Sequence, residues 1–137
     1  MMDFHAAAAD YITAVELEPN DFRSLNAAAW LLSSSPIDGD RDGVRAKKLA
    51  TKACKLTSYE DRICIDTLAS ACAELGDFTN ALKWQIKARD MFLEEHEVKD
   101  GPDAIEVGLQ VMEYEDKIAL FRSGHPFREG SAADGTK

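Results

Sequence analysis

The chain has 137 residues and a net charge of −9, with 25 Asp and Glu against 16 Lys and Arg. A chain of this size buries about two-thirds of its unfolded surface, enough for one domain, and the acidic balance argues against nucleic acid, whose phosphates need clustered, exposed cations. No apolar run approaches the roughly 18 to 20 residues of a membrane span, and the start, Met1-Met2-Asp3-Phe4, lacks a basic and apolar signal segment, so cytoplasmic residence is the default expectation.

In chain order, the first predicted element is a helix over 4–17, in which Ala7, Tyr11, Ala14 and Leu17 are spaced as one face and Pro19 follows as a stop. Its other apolar residues, Phe4 and Val15 with Tyr11, make a face with no evident partner. A second helix carries Leu25, Ala28, Ala29 and Leu32. An insertion over 33–43, rich in Ser, Asp and Gly, separates it from a third helix with Ala46, Ala53 and Leu56. Arg41, Arg45, Lys47, Lys48, Lys52 and Lys55 read as the solvated face of that third helix. The fourth helix has Ile65, Leu68, Ala69 and Cys72 on one side and stops at Gly76, the residue that takes the left-handed region without a side-chain penalty. Asp77 or Thr79 caps the fifth helix, whose Ala81 and Ala88 are small enough to let the preceding helix approach closely. A last helix over 102–122 is apolar on two sides, with Ile105, Leu109, Met112 and Leu120 on one and Val107, Val111, Tyr114, Ile118 and Phe121 on the other. Such a helix wants two partners. The candidates for its second side are the tail through Pro126 and Phe127, a second copy of the protein, or a ligand. Residues 130–137 are small and polar and are expected to be disordered.

The same register recurs along the chain. The stripe Leu25, Ala28, Ala29, Leu32 is repeated by Ile65, Leu68, Ala69, Cys72, and Ala46, Ala53 by Ala81, Ala88. With Leu75-Gly76-Asp77-Phe78 at its centre, the unit resembles the tetratricopeptide (TPR) repeat, whose pattern is Trp-x2-Leu-Gly-x2-Tyr followed by Ala, an aromatic, Ala and Pro. The resemblance covers roughly residues 4–95, with Cys72 in place of Tyr, Gln85 in place of an aromatic and Leu93 in place of Pro. The runs 26–32 and 121–129 look like a bacterial TPR subgroup with a closing helix and a Gly-x-Pro-aromatic tail, often found at the C-terminal end of larger proteins. The resemblance implies an all-α fold of antiparallel helix-turn-helix repeats in a short right-handed solenoid. Its parts are a half repeat over 4–19, whose first helix is missing, repeats over 22–60 and 62–95, and a capping helix over 102–122 within a single domain over 1–129. The chain then reads as a terminal segment of a longer array or a small relative of one.

In TPR arrays the first helix of each unit lines the inner groove. At 100 degrees per residue, the face opposite the core stripe holds Arg23, Asn26, Trp30 and Ser33 in one unit and Ile63, Asp66, Ser70, Ala73 and Glu74 in the next. The resemblance makes these the candidate peptide contacts. Trp30 is either an anchor for a ligand or a contact for the adjacent insertion. No Lys and Asn cradle for a terminal carboxylate accompanies Asp66, Thr67 and Glu74, so a basic or mixed partner fits better than an acidic tail.

Chemistry is hard to find elsewhere. Asp38, Asp40, Asp42 and Gly43 imitate the opening of an EF-hand loop, but Leu49 stands where the bidentate glutamate belongs and Lys47 and Lys48 precede it. A solvated turn with Asp42 capping the next helix is the better reading. Cys54, Cys64 and Cys72 lack the paired spacing of a zinc site and have no base nearby in sequence, so buried structural thiols are expected. No metal, cofactor or catalytic set is expected. Two functions fit these features: a scaffold that binds a protein or peptide in the groove, or a structural module that ends a longer array or forms a homodimer through its first or last helix.

Overall fold

The computed structural model describes residues 3–96 and 102–130. Six α-helices carry it: α1 (Phe4–Leu17), α2 (Phe22–Ser34), α3 (Gly43–Leu56), α4 (Arg62–Glu74), α5 (Phe78–Glu95) and α6 (Pro102–Arg122). A single 3-10 turn, Asp38–Asp40, lies in the insertion, and no strand occurs among the described residues. The fold class is all-α. Residues 131–137, expected to be disordered, lie outside the described part; Gly130 sits in a turn at positive φ.

The starts and stops come from local chemistry. Asp3, Asp21, Asp42, Asp61 and Asp77 cap the first five helices, each accepting from a backbone N–H of the first turn. Each cap is worth about 0.5–2 kcal/mol. At Asp77, hydrogen bonds from the side chain and backbone of Asn80 hold the carboxyl below the usual carboxylate range. Three helices stop in the same way. At the end of α4 the Asp77 N–H reaches the Cys72 carbonyl and the Gly76 N–H the Ala73 carbonyl, with Gly76 at φ +79. The end of α6 repeats this at Gly124, through His125 to Leu120 and Gly124 to Phe121. At the end of α3, Tyr59 bonds to Cys54 and Ser58 to Lys55, but the left-handed residues are Ser58 and Tyr59, not glycine.

That difference gives a paired prediction. A side chain at Gly76 would meet nothing within 4 Å, so Gly76→Ala should cost about 1 kcal/mol from backbone conformation alone. Ser58→Gly relieves the same strain and, after the larger entropy of the unfolded chain is set against it, should stabilise by about 0.5 kcal/mol. Urea unfolding of the two variants should therefore move in opposite directions.

Consecutive helices pack pairwise from α1 to α5, α6 packs on α5, and α2 and α4 also lie directly against each other. The helix α4 is central: from Cys64 to Ala73 every residue except Asp66 is buried. A helix apolar on all sides needs neighbours all round. Those neighbours come close because the contact residues are small, Ala46, Ala50 and Ala53 on α3 and Ala81 and Ala88 on α5, all fully buried. Gln85, between the two α5 alanines, is also fully buried, and its amide donates to the Asp66 carboxylate at 2.7 Å. A buried amide requires such a partner.

Two expectations change. In α1 the buried face is Ala8 with Ile12 and Val15 packed on the core, whereas Tyr11 and Leu17 are 41 % and 78 % exposed. Ile12 and Val15 remove more apolar surface from water than Ala7 and Ala14 would, so they set the rotation of the helix. Val15 therefore does not belong to an uncovered face. In α6, Tyr114, Ile118 and Phe121 are buried, Val107, Val111 and Leu120 pack against the core, and Ile105, Leu109 and Met112 remain exposed. The tail does not cover those three.

Candidate functional site

The layer formed by α2 and α4 is continued by α6 through side chains: the Arg62 guanidinium donates to the Tyr114 hydroxyl at 3.2 Å, and the Lys117 ammonium meets Asp66 at 2.9 Å. Its face carries the residues expected to line a groove. Arg23 is exposed and lies 4.9 Å from the Phe22 ring centre; Asn26 and Trp30 are half-buried, and Ile63 is exposed. Ser70 is almost fully buried. The Ser70 hydroxyl and the Asn26 side-chain carbonyl are both buried without a hydrogen-bond partner among the described residues.

The acidic members of the face are already engaged. Asp66 receives both Gln85 and Lys117. Glu74 is paired on one oxygen with Arg41 at 3.4 Å and on the other with Arg128 at 2.7 Å. Arg41 in turn binds the Ser35 carbonyl at 2.7 Å and the Asp38 carboxylate. It therefore locks the insertion onto α4, and does not join Arg45 and the lysines on the solvated side of α3.

The tail reaches this face after the turn at Gly124. His125 to Arg128 are non-helical. Phe127 packs against the main core cluster with the Lys117 ammonium 4.5 Å from its ring centre. Arg128 takes Glu74, and the Glu129 N–H donates to the Ser34 carbonyl at 2.7 Å. Adjacent tail residues thus bridge the C-terminal ends of α4 and α2, which places those two helices parallel. Asn26 and Ile63, toward the opposite end of the face, and Trp30, one turn before Ser34, take no hydrogen bond or ion pair from the tail among the described residues. Sequence reasoning missed Lys117, Phe127, Arg128 and Ser34 as parts of this face. The run His-Pro-Phe-Arg-Glu after Gly124 was the available signal, but nothing local says which helices it crosses.

The EF-hand-like carboxylates are dispersed. Asp38 pairs with Arg41, Asp40 with the His5 imidazole at 2.7 Å, and Asp42 caps α3. The Asp40 hydrogen bond and charge raise the His5 pKa. No group of three or more His, Cys, Asp or Glu side chains among the described residues is placed to hold a metal ion, and none of the described helices is long and apolar enough to cross a membrane.

The three thiols are free and buried. Burial, aided by neighbouring negative groups, pushes Cys54 up to about 12 and Cys64 up to about 11, and burial also raises Cys72. All three therefore stay protonated at neutral pH, far from the depressed pKa of a nucleophile. Iodoacetamide at pH 8 should label none of them in the folded chain and all three in urea. The unfolded thiols, near 9.0, ionise before the folded ones. Their contribution to stability is therefore complete below about pH 9 and is lost as pH rises toward about 12.

No family model, curated protein or solved structure matches the chain.

Proposed function

We propose that the chain is a TPR-like helical array, a right-handed stack of helical hairpins closed by α6, that works as a protein-interaction scaffold and holds an extended segment of a partner on the face of α2, α4 and α6. One observation carries this reading: the same face already holds an extended peptide, the chain's own tail. It does so with an aromatic ring, an arginine–carboxylate pair and a main-chain hydrogen bond, the elements by which a groove recognises a peptide. The Glu74 carboxylate, which Arg128 leaves when the tail is displaced, favours a basic residue in the segment, and the seat of Phe127 favours an aromatic beside it. The partner occupies the open end at Asn26 and Ile63, runs past Trp30, and competes with the tail at the other end. Binding and tail release are then coupled through one free-energy difference.

Selection of random peptides on the purified chain tests this. Peptides pairing an aromatic with Arg should be enriched. Phe127→Ala with Arg128→Ala should tighten their binding about tenfold or more by removing the competitor, and Trp30→Ala should weaken it by a similar factor. Peptides whose affinity ignores both changes would place the binding surface elsewhere. The exposed ridge of Ile105, Leu109 and Met112 favours a second reading, self-association, on a surface separate from this face.

A further inference from the structure

Two surfaces of the molecule are unfinished in complementary ways. The first is the outer side of α3. Its segment GVRAKKLATKACKL contains five cations and no acid, in a chain whose net charge is −9. None of these cations is within ion-pair distance of a carboxylate among the described residues. Between α3 and the turn at Leu75 lies a groove of about 490 Å³, lined by Lys47, Lys48, Lys52 and Lys55 together with the aliphatic side chains of Val44 and Leu75. Val44 and Leu75 are 64 % and 42 % exposed.

The second is the outer side of α6. Ile105, Leu109 and Met112, at the i, i+4, i+7 spacing of one stripe, are 71 %, 58 % and 59 % exposed. Exposed carboxylates frame them: Glu106 and Glu113 on one flank, with Asp116 continuing the stripe. None of these three carboxylates is paired with a cation among the described residues. One surface is a cationic groove with aliphatic lining; the other is an aliphatic ridge with an anionic rim.

We infer that the groove on α3 receives the ridge on α6 of a second copy of this chain. The two surfaces cannot meet within one molecule, because α3 packs on α2 and α4, α6 packs on α5, and the helices α4 and α5 stand between them. Between molecules the match has both parts that recognition needs, apolar contact at the centre and opposite charges at the rim. Opposed fields also speed the encounter, in spite of the overall like charge, because the nearest charges dominate within a Debye length of about 10 Å. The arrangement is heterologous: each copy keeps a free groove at one end and a free ridge at the other, so association continues beyond a dimer. One helix seated against another is a small interface, which makes the association weak and reversible. It leaves the face of α2, α4 and α6 untouched and stands independently of what that face binds.

Sedimentation velocity of the full chain from about 10 to about 200 µM, the range in which a small interface associates, tests the inference. The expected result is concentration-dependent association at 50 mM NaCl, with the dissociation constant at least about tenfold higher at 500 mM. Lys48→Glu, Lys52→Glu, Lys55→Glu removes the groove, and Ile105→Ser, Leu109→Ser, Met112→Ser removes the ridge; each triple variant alone should be monomeric. Mixed in equal amounts they should give a dimer and nothing larger, since the first keeps its ridge and the second its groove. Five of the six residues are exposed and Lys52 is half-buried, so circular dichroism should show unchanged helicity. If a triple variant unfolds, the single changes Lys52→Glu and Leu109→Ser should still weaken association at least about fivefold. A wild-type chain that stays monomeric throughout, including one whose groove takes an acidic segment of another protein instead, overturns the inference. So does a mixture of the two variants that remains monomeric while the wild type associates.

Discussion

Phe121→Ala is expected to lower the free energy of unfolding by about 3–5 kcal/mol, a large part of the roughly 5–15 kcal/mol available to a domain of this size. The ring is 1 % exposed and belongs to the main core cluster with Tyr114 and Phe92. It sits at the last turn of α6, where its carbonyl accepts the Gly124 N–H, so it also fixes where the tail departs. Truncation opens a cavity that the neighbours cannot fill, because Phe127 and Leu120 are themselves held against the same cluster. Leu109→Ala is the control. On the same helix but exposed, it should change stability by no more than about 0.5 kcal/mol in the monomer. Urea unfolding of both variants at low micromolar concentration distinguishes a helix integral to the core from one merely resting on it. A cost below about 1 kcal/mol for Phe121→Ala would show the latter.

The elements that sequence reasoning placed well are those set by neighbours in the chain. Gly76 had to be left-handed if α4 was to end there, and Asp42 and Asp77 had to cap if helices followed them at once. Alanines at a fixed spacing told where helices meet, since Ala46, Ala53, Ala81 and Ala88 are all fully buried. What sequence did not reveal depends on distant parts of the chain. Ser58 and Tyr59 adopt the left-handed cap without glycine, so the stop of α3 carried no residue signal. The facing of α1 was decided by Ile12 and Val15 packing onto the core beside α2, not by its own alanines. The candidate face shows the same limit. Helix geometry put Asp66, Ser70 and Glu74 on the side away from the core stripe of α4, yet Lys117 and Arg128, 51 and 54 positions further on, come back to take the two carboxylates. No local pattern pairs residues so far apart.

Asp66→Ala, at one of those two carboxylates, is expected to cost about 2–4 kcal/mol, because a single oxygen receives both the Gln85 amide at 2.7 Å and the Lys117 ammonium at 2.9 Å. Gln85 is fully buried, so its unpaired amide alone costs about 1–3 kcal/mol. The ion pair adds less, since the side chains of Asp66 and Lys117 are 28 % and 12 % exposed and water screens part of the attraction. Asp66→Asn keeps an acceptor for Gln85 and loses the charge, and should cost about half as much. A double-mutant cycle with Lys117→Met should then recover about 1 kcal/mol of coupling between α4 and α6, whereas coupling below about 0.3 kcal/mol would mean that the Asp66–Lys117 pair does not help to hold α6. Loss of partner binding in Asp66→Ala would thus mix a lost contact with a loosened α6. Trp30→Ala does not share that ambiguity: Trp30 is half-buried on the face, and none of the ion pairs that hold α6 or the tail passes through it. Binding that falls in Trp30→Ala at unchanged stability therefore reports the groove itself, and binding that falls only in Asp66→Ala reports the position of α6.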